Sequence, residues 1–182
     1  MPNETDHQSS MIVQRNDAGG ALVALVCLSV FAVVFIIYTT RSLPETVATH
    51  FGANNNANGS MSRNAYLLFI LSFMIAMSAF VSFIVGTLPR KFPRWTNLPN
   101  RDYWLSPERR EESLNFLNAH GKRLACLIVM MMLGMHYVIL KANHLQPPTL
   151  PVATFSSILI GFVLALIWWI IRLYRRFPKE AR

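Results

Sequence analysis

The stretch GGALVALVCLSVFAVVFIIY, residues 19–38, decides the fold class. It holds no Asp, Glu, Lys or Arg. A helix rises about 1.5 Å per residue, so roughly 20 residues cross a hydrocarbon core of ~30 Å. The run therefore reads as a membrane span. The mixed-charge segment before it and its length, beyond the roughly 7–15 apolar residues of a signal-peptide core, predict an uncleaved span. Three further runs without formal charge follow at 66–88, 124–140 and 152–171. The expected fold is an all-α membrane protein, a four-transmembrane-helix bundle.

The totals agree with that reading. The chain has 182 residues, 53% hydrophobic and 14% charged, where a soluble domain carries about 25% charged residues. The net charge of +8 does not point to nucleic acid, because the basic residues sit in short blocks beside apolar runs. Cys27 and Cys126 fall within those runs and read as buried thiols rather than a disulfide.

Charge placement predicts orientation and domain layout. Of 17 Lys and Arg, only Arg41, Arg63 and Lys141 fall in the first and third connections. The rest lie in the tails and the second connection. The positive-inside rule then places both termini and the second connection on the cytoplasmic side. The expected layout is a cytoplasmic tail over 1–18, one membrane domain over 19–171 and a basic tail over 172–182. Within the domain, 39–65 is an outer loop and 89–123 a cytoplasmic loop. Tyr38, Tyr66, Trp168, Trp169 and Tyr174 read as anchors at span ends.

Small residues four apart allow close helix approach in lipid. The second span carries Ser78, Ser82 and Gly86; the fourth carries Ala153, Ser157, Gly161 and Ala165. One ridge is expected at an internal contact and the other at a partner chain, unless both only reflect how common small residues are in spans.

The two long loops carry the remaining information. In the cytoplasmic loop, prolines 89, 93 and 99 predict a broken, extended segment. Ser106-Pro107-Glu108 then reads as a helix start, giving an interfacial helix to about Ala119 with Leu114 and Leu117 on one face. Its basic residues would favour anionic headgroups at the cytoplasmic face; a plain solvated connector is the competing reading. In the outer loop, the Asn- and Gly-rich residues 52–60 predict turns. Leu43-Pro44 and His50-Phe51 read as ordered anchors.

The order Leu43-Pro44, His50-Phe51, a turn with Gly59 and then Arg63 resembles a small bacterial membrane domain of unknown function, which also forms the N-terminal part of SdpI-type immunity proteins. Pro99, Asn100, Asp102, Tyr103, Trp104, Pro107, Glu108, Arg109 and Arg110 resemble the cytoplasmic loop of its stand-alone members. The resemblance covers roughly residues 20–125. It implies the same membrane fold and a role in immunity or signalling. The sequence departs from the pattern at Ala48, where the family usually has Pro, and the C-terminal region with the extra spans of the SdpI-type proteins is expected to be absent or much reduced.

Little in the chain reads as catalytic chemistry. His50, His136 and His144, with Met130, Met131, Met132 and Met135, suit copper or zinc by ligand type, but their spacing matches no metal motif, and no cofactor is expected. His136, at membrane depth, is the strongest single polar candidate. The spans lack the charged groups that ion-coupled transport uses, and Glu108, Glu111 and Glu112 have no partner base. The expected function is therefore a non-enzymatic interaction or regulatory protein of the envelope. The alternatives are an accessory subunit of a larger membrane complex and a metal or small-solute permease. Expected partners are membrane lipids and other membrane proteins.

Overall fold

The computed structural model describes the backbone of residues 4–179 and the side chains of residues 17–179. The expected tails fall partly outside the described residues, at 1–3, at 180–182 and for the side chains of 4–16, Arg15 among them. Ten elements follow in order: α1 (Glu4–Thr40), β1 (Thr46–Phe51), β2 (Ala57–Ser62), α2 (Arg63–Ser82), a π-helical turn (Phe83–Thr87), α3 (Leu88–Lys91), a 3-10 turn (Pro93–Trp95), α4 (Arg101–Trp104), α5 (Arg110–Asn143) and α6 (Val152–Arg176).

Four helical stretches are long and apolar enough to cross a membrane: Asp17–Thr40, Arg63–Lys91, Arg110–Asn143 and Val152–Arg176. Their surfaces are apolar as well. Val23, Leu68 and Leu164 are 62%, 70% and 61% exposed, and so much bare hydrocarbon suits a lipid solvent rather than water. The chain belongs with multi-pass membrane proteins.

Three expectations change. The helix expected to end near Ala119 and the third span expected at 124–140 are one continuous helix, α5. Gly121 is the only weak helix former at the expected break, costing about 1 kcal/mol, and close packing requires it. A Cβ on Gly121 would lie 2.9 Å from the Gly86 nitrogen, and one on Gly86 3.2 Å from the Asn118 Cα. Secondly, the Ser106-Pro107-Glu108 start gives a turn, with regular helix from Arg110. The Arg110 amide still bonds the Ser106 carbonyl at 2.9 Å. Thirdly, the proline segment is helical in its first part and extended only from Thr96, at φ −77° and ψ 117°. Pro89 and Pro93 each sit in the first turn of a short helical piece, where a missing N–H costs nothing.

The described chain divides into two compact units. The first comprises, among the described residues, 4–27, 78–126 and 166–179. Its core is Leu98, Leu114, Leu117 and Phe177, with Trp104 and Phe116 packed against it. Ion pairs Arg176–Glu112 at 2.7 Å and Arg90–Glu111 at 3.0 Å, together with Arg123–Asp17, tie its helices together. The second unit comprises residues 28–77 and 127–165. It holds the only β-sheet among the described residues, the antiparallel pair β1–β2, and an isolated bridge between Asn56 and Thr149.

Candidate functional site

The second unit builds a site from the hairpin outward. An isolated two-stranded sheet is marginal in stability, and three devices hold this one. Val47 and Ala48, whose side chains point to opposite faces of the strand, are both buried. Asn143, at the end of α5, accepts from the Ala48 amide at 2.8 Å and donates to the Ala48 carbonyl at 2.9 Å. This side chain copies a neighbouring strand. The connection before α6 closes on the hairpin tip: the Leu150 amide donates to the Asn55 carbonyl at 2.8 Å, and the Ala57 amide to the Pro148 carbonyl at 3.3 Å. At the tip Asn55 takes φ of 63°, a left-handed conformation that Asn tolerates.

The resemblance motif gathers around this hairpin. His50 faces Gly59 across the strands, and a Cβ on Gly59 would come within 3.0 Å of the His50 Cβ. Phe51 pairs with Ala57. Leu43 is buried while Pro44 is exposed. Arg63, the first residue of α2, donates to the Leu43 carbonyl at 3.0 Å and more distantly, at 3.4 Å, to that of Arg41. It thereby fastens the chain entering the hairpin to the chain leaving it.

Between the hairpin and the helices lies a cleft of about 400 Å³. Thr49, His50 and Met61 form its hairpin wall. Tyr66, Phe69, Ile70 and Phe73 line the α2 side, and Met132, Met135 and Ile139 the α5 side. Its walls are apolar and aromatic with a few polar groups, the usual make-up of a small-ligand pocket.

Tyr66 connects this cleft to buried His136. The Tyr66 hydroxyl lies 2.8 Å from His136 Nδ1, and Thr39 Oγ1 lies 2.8 Å from Nε2. Thr39 uses its one proton on the Phe35 carbonyl, 2.6 Å away. It must therefore accept from His136, whose Nε2 carries the proton. Nδ1 then accepts from Tyr66. The proton order runs Tyr66 to His136 to Thr39 to Phe35, and it satisfies every member. Phe35 adds an edge contact to the His136 ring and Tyr66 a stacked one.

The other expected site residues are dispersed. His144 donates to the Leu140 carbonyl at 2.6 Å. His50, His136 and His144 form no metal cluster; among the described residues no three His, Cys, Asp or Glu could share an ion. Of the small-residue ridges, Ser78 and Gly86 are buried and Ser82 half-buried, whereas Ala153, Ser157 and Gly161 are exposed and Ala165 half-buried. In the first unit, Asn100 has φ of 49°, Pro99 is half-buried, and Pro107 and Glu108 occupy an exposed turn. Asp102 pairs with neighbouring Arg101 at 2.9 Å. Arg109 lies 4.2 Å above the Tyr103 ring, and Trp104 packs edge-on against Phe177 at 5.5 Å. Arg110 is exposed at the head of α5.

Asn143 and the Tyr66–His136–Thr39 chain are pairings that no local spacing announces. A polar residue at the end of an apolar run was the available signal for Asn143. The chain is similar to a protein described as uncharacterized from Archaeoglobus fulgidus, 29% identical over 133 residues, covering 70% of this chain and 73% of that one. No solved structure matches the chain. Residues 26–76 match the family described as "Domain of unknown function (DUF1648)", and that segment carries Thr39, the whole hairpin, Arg63 and Tyr66.

Proposed function

We propose that this protein is a small membrane interaction protein whose hairpin cleft takes an apolar group, such as a hydrophobic side chain of an envelope peptide or toxin. One observation carries the reading: the cleft roofed by His50 and Met61 and floored by Tyr66, Met132 and Met135. Methionine is flexible and polarizable, so Met-rich walls adapt to varied partners. His50 at the rim and Tyr66 in the wall supply the polar groups that orient a ligand. In this reading the hairpin faces outward. The arginine-bearing segment 89–123 and the tails face the cytoplasm and its anionic headgroups. A role like that of SdpI-type immunity or signalling proteins fits such an arrangement.

The test fills the cleft. Met135→Trp, with His50→Ala as a milder companion, is expected to reduce capture of the partner from native membranes at least roughly tenfold, the equivalent of about 1.4 kcal/mol. Protein level and helix content should not change. Wild-type capture by the filled variant would exclude the cleft as the binding site.

The accessory-subunit reading rests on a different face. Gly161 has no side chain or backbone within 4 Å of where a Cβ would stand. Next to it Gly134, Met131 and Ile158 line a cleft of about 330 Å³. A monomer without companions in mild detergent would count against that reading and leave the hairpin proposal intact.

A further inference from the structure

Arg41 and Arg63 lie far apart in sequence and meet at one cleft. The cleft has a volume of about 340 Å³ and is lined by Ile37, Thr40, Arg41, Arg63, Asn64 and Leu67. Arg41 follows the last turn of α1, and Arg63 opens α2. Neither guanidinium forms an ion pair with any described residue. Glu45, the acidic residue nearest Arg41 in sequence, is exposed and also pairs with neither. Arg63 is held in place by carbonyls, which fix its orientation but leave its charge uncompensated. Arg41 makes no side-chain hydrogen bond among the described residues. Exposed Arg41 and carbonyl-held Arg63 thus bring two positive charges without an ion-pair partner to one cleft, an arrangement that favours an anion.

Three features narrow the anion. Thr40 is only 2% exposed, and its hydroxyl has no hydrogen-bond partner among the described residues. An orphan buried hydroxyl costs stability unless something occupies its site. The first turn of α2 begins at Arg63 and adds the positive end of a helix dipole, with its Arg63 amide already bonded to the Glu45 carbonyl at 2.8 Å and its Ala65 amide to Ser62 Oγ at 3.3 Å. The guanidinium fork matches a tetrahedral oxyanion better than a point charge does. Beside these polar groups Ile37 and Leu67 supply an apolar wall, each on a membrane-crossing helix. A polar cradle joined to such a wall has the two-part chemistry of a phospholipid.

We propose that the Arg41–Arg63 cleft is a phosphate site, filled by the headgroup of an anionic phospholipid whose chain lies against Ile37 and Leu67. The site is separate from the hairpin cleft, and neither Arg41 nor Arg63 lines that cleft.

The experiment uses the full chain in mild detergent, titrated with short-chain phosphatidylglycerol and, separately, phosphatidylcholine, with bound lipid counted by native mass spectrometry. Phosphatidylglycerol is expected to bind the wild type at least roughly tenfold more tightly than phosphatidylcholine. Arg41→Gln should abolish that preference, as expected for a lost charge-assisted contact. The Arg41 side chain bonds nothing among the described residues, so this variant should fold as wild type; an unchanged melting profile checks that. Adding millimolar inorganic phosphate separates the sources. Displacement of the lipid supports a site for the phosphate group itself, whereas retention supports a site that also needs the acyl chain. Equal binding of the two lipids by the wild type, or an unchanged preference in Arg41→Gln, overturns the proposal.

Discussion

His136 and His120 lie on the same helix, and both are completely buried, yet they are held by opposite means. His136 is hydrogen-bonded at both nitrogens, to Tyr66 and Thr39. His120 has no partner at either nitrogen among the described residues. It is stacked instead on Trp169 at 4.2 Å and 12°, and on Phe116 at 5.1 Å and 22°. The contrast extends to the units around them. The hairpin unit is pinned by specific polar bonds, from His136 and from Asn143 to Ala48. The other unit is gathered around aromatic rings, with Phe177 at the centre. Polar bonds fix where a loop sits to within an ångström, and a loop that presents a cleft needs that accuracy. Stacked rings tolerate small shifts and supply adhesion instead.

The largest expected effect breaks the aromatic side. Phe177 is fully buried and meets Trp104 and Phe116 edge-on, each at 5.5 Å. Phe177→Ala removes the ring and leaves a cavity, and such losses cost about 3–5 kcal/mol. Chemical unfolding in detergent, followed by tryptophan fluorescence, reads this directly because Trp104 and Trp169 lie in the same unit. A loss under about 1 kcal/mol would mean that the cluster collapses readily around the gap, and that the ion pairs hold this unit.

The next effect breaks the polar side. His136→Phe keeps a flat ring but leaves the Tyr66 hydroxyl with no acceptor. A buried hydroxyl so stranded costs about 1–3 kcal/mol. Thr39 is spared, because it still donates to Phe35. Combining His136→Phe with Tyr66→Phe removes both partners and should recover much of the loss, since an apolar pair of similar shape is nearly neutral. A double-mutant cycle therefore measures the bond itself. If the double variant is worse than His136→Phe alone, the Tyr66 hydroxyl has a second partner and the proton order is wrong.

The two sides also differ in how legible they were. The four helices could be read from composition because hydrocarbon thickness sets their length, and charge is excluded from their interior. Leu43, His50, Gly59 and Arg63 could be read as a motif, and the structure brings all four to the hairpin. The strand pairing itself was hidden. β2 reads Ala-Asn-Gly-Ser-Met-Ser, which has no β-branched or aromatic residue and looks like a turn. It becomes a strand only because β1 lies beside it and Asn143 and the residue 148–150 connection hold the pair. The unbroken α5 was hidden for a related reason. Gly121 and the charges of Lys122 and Arg123 mark a span edge in sequence, but Gly121 is there for its contact with Gly86. His120 leaves no mark in the sequence, because stacking with a residue 49 positions away leaves no periodic trace.

The smallest expected effect sharpens the comparison most. His120→Phe keeps the stacked face toward Trp169 and Phe116 and removes two buried nitrogens that have no hydrogen-bond partner within 3.5 Å among the described residues. The Trp169 indole N–H donates to the His120 backbone carbonyl at 3.0 Å, a bond the substitution leaves in place. The gain is relief from two desolvated polar atoms; the cost is the slightly larger ring in a packed site. Overpacking costs about 1–3 kcal/mol at worst, and unpaired polar atoms cost a similar amount. The two should nearly cancel, leaving a net change within about 1 kcal/mol in the same unfolding assay. The same substitution at His136 should cost clearly more, although the helix, the residue and the burial are matched. Equal losses at the two sites would mean that His120 depends on a polar partner, and the division between a bonded unit and a stacked one would fall with it.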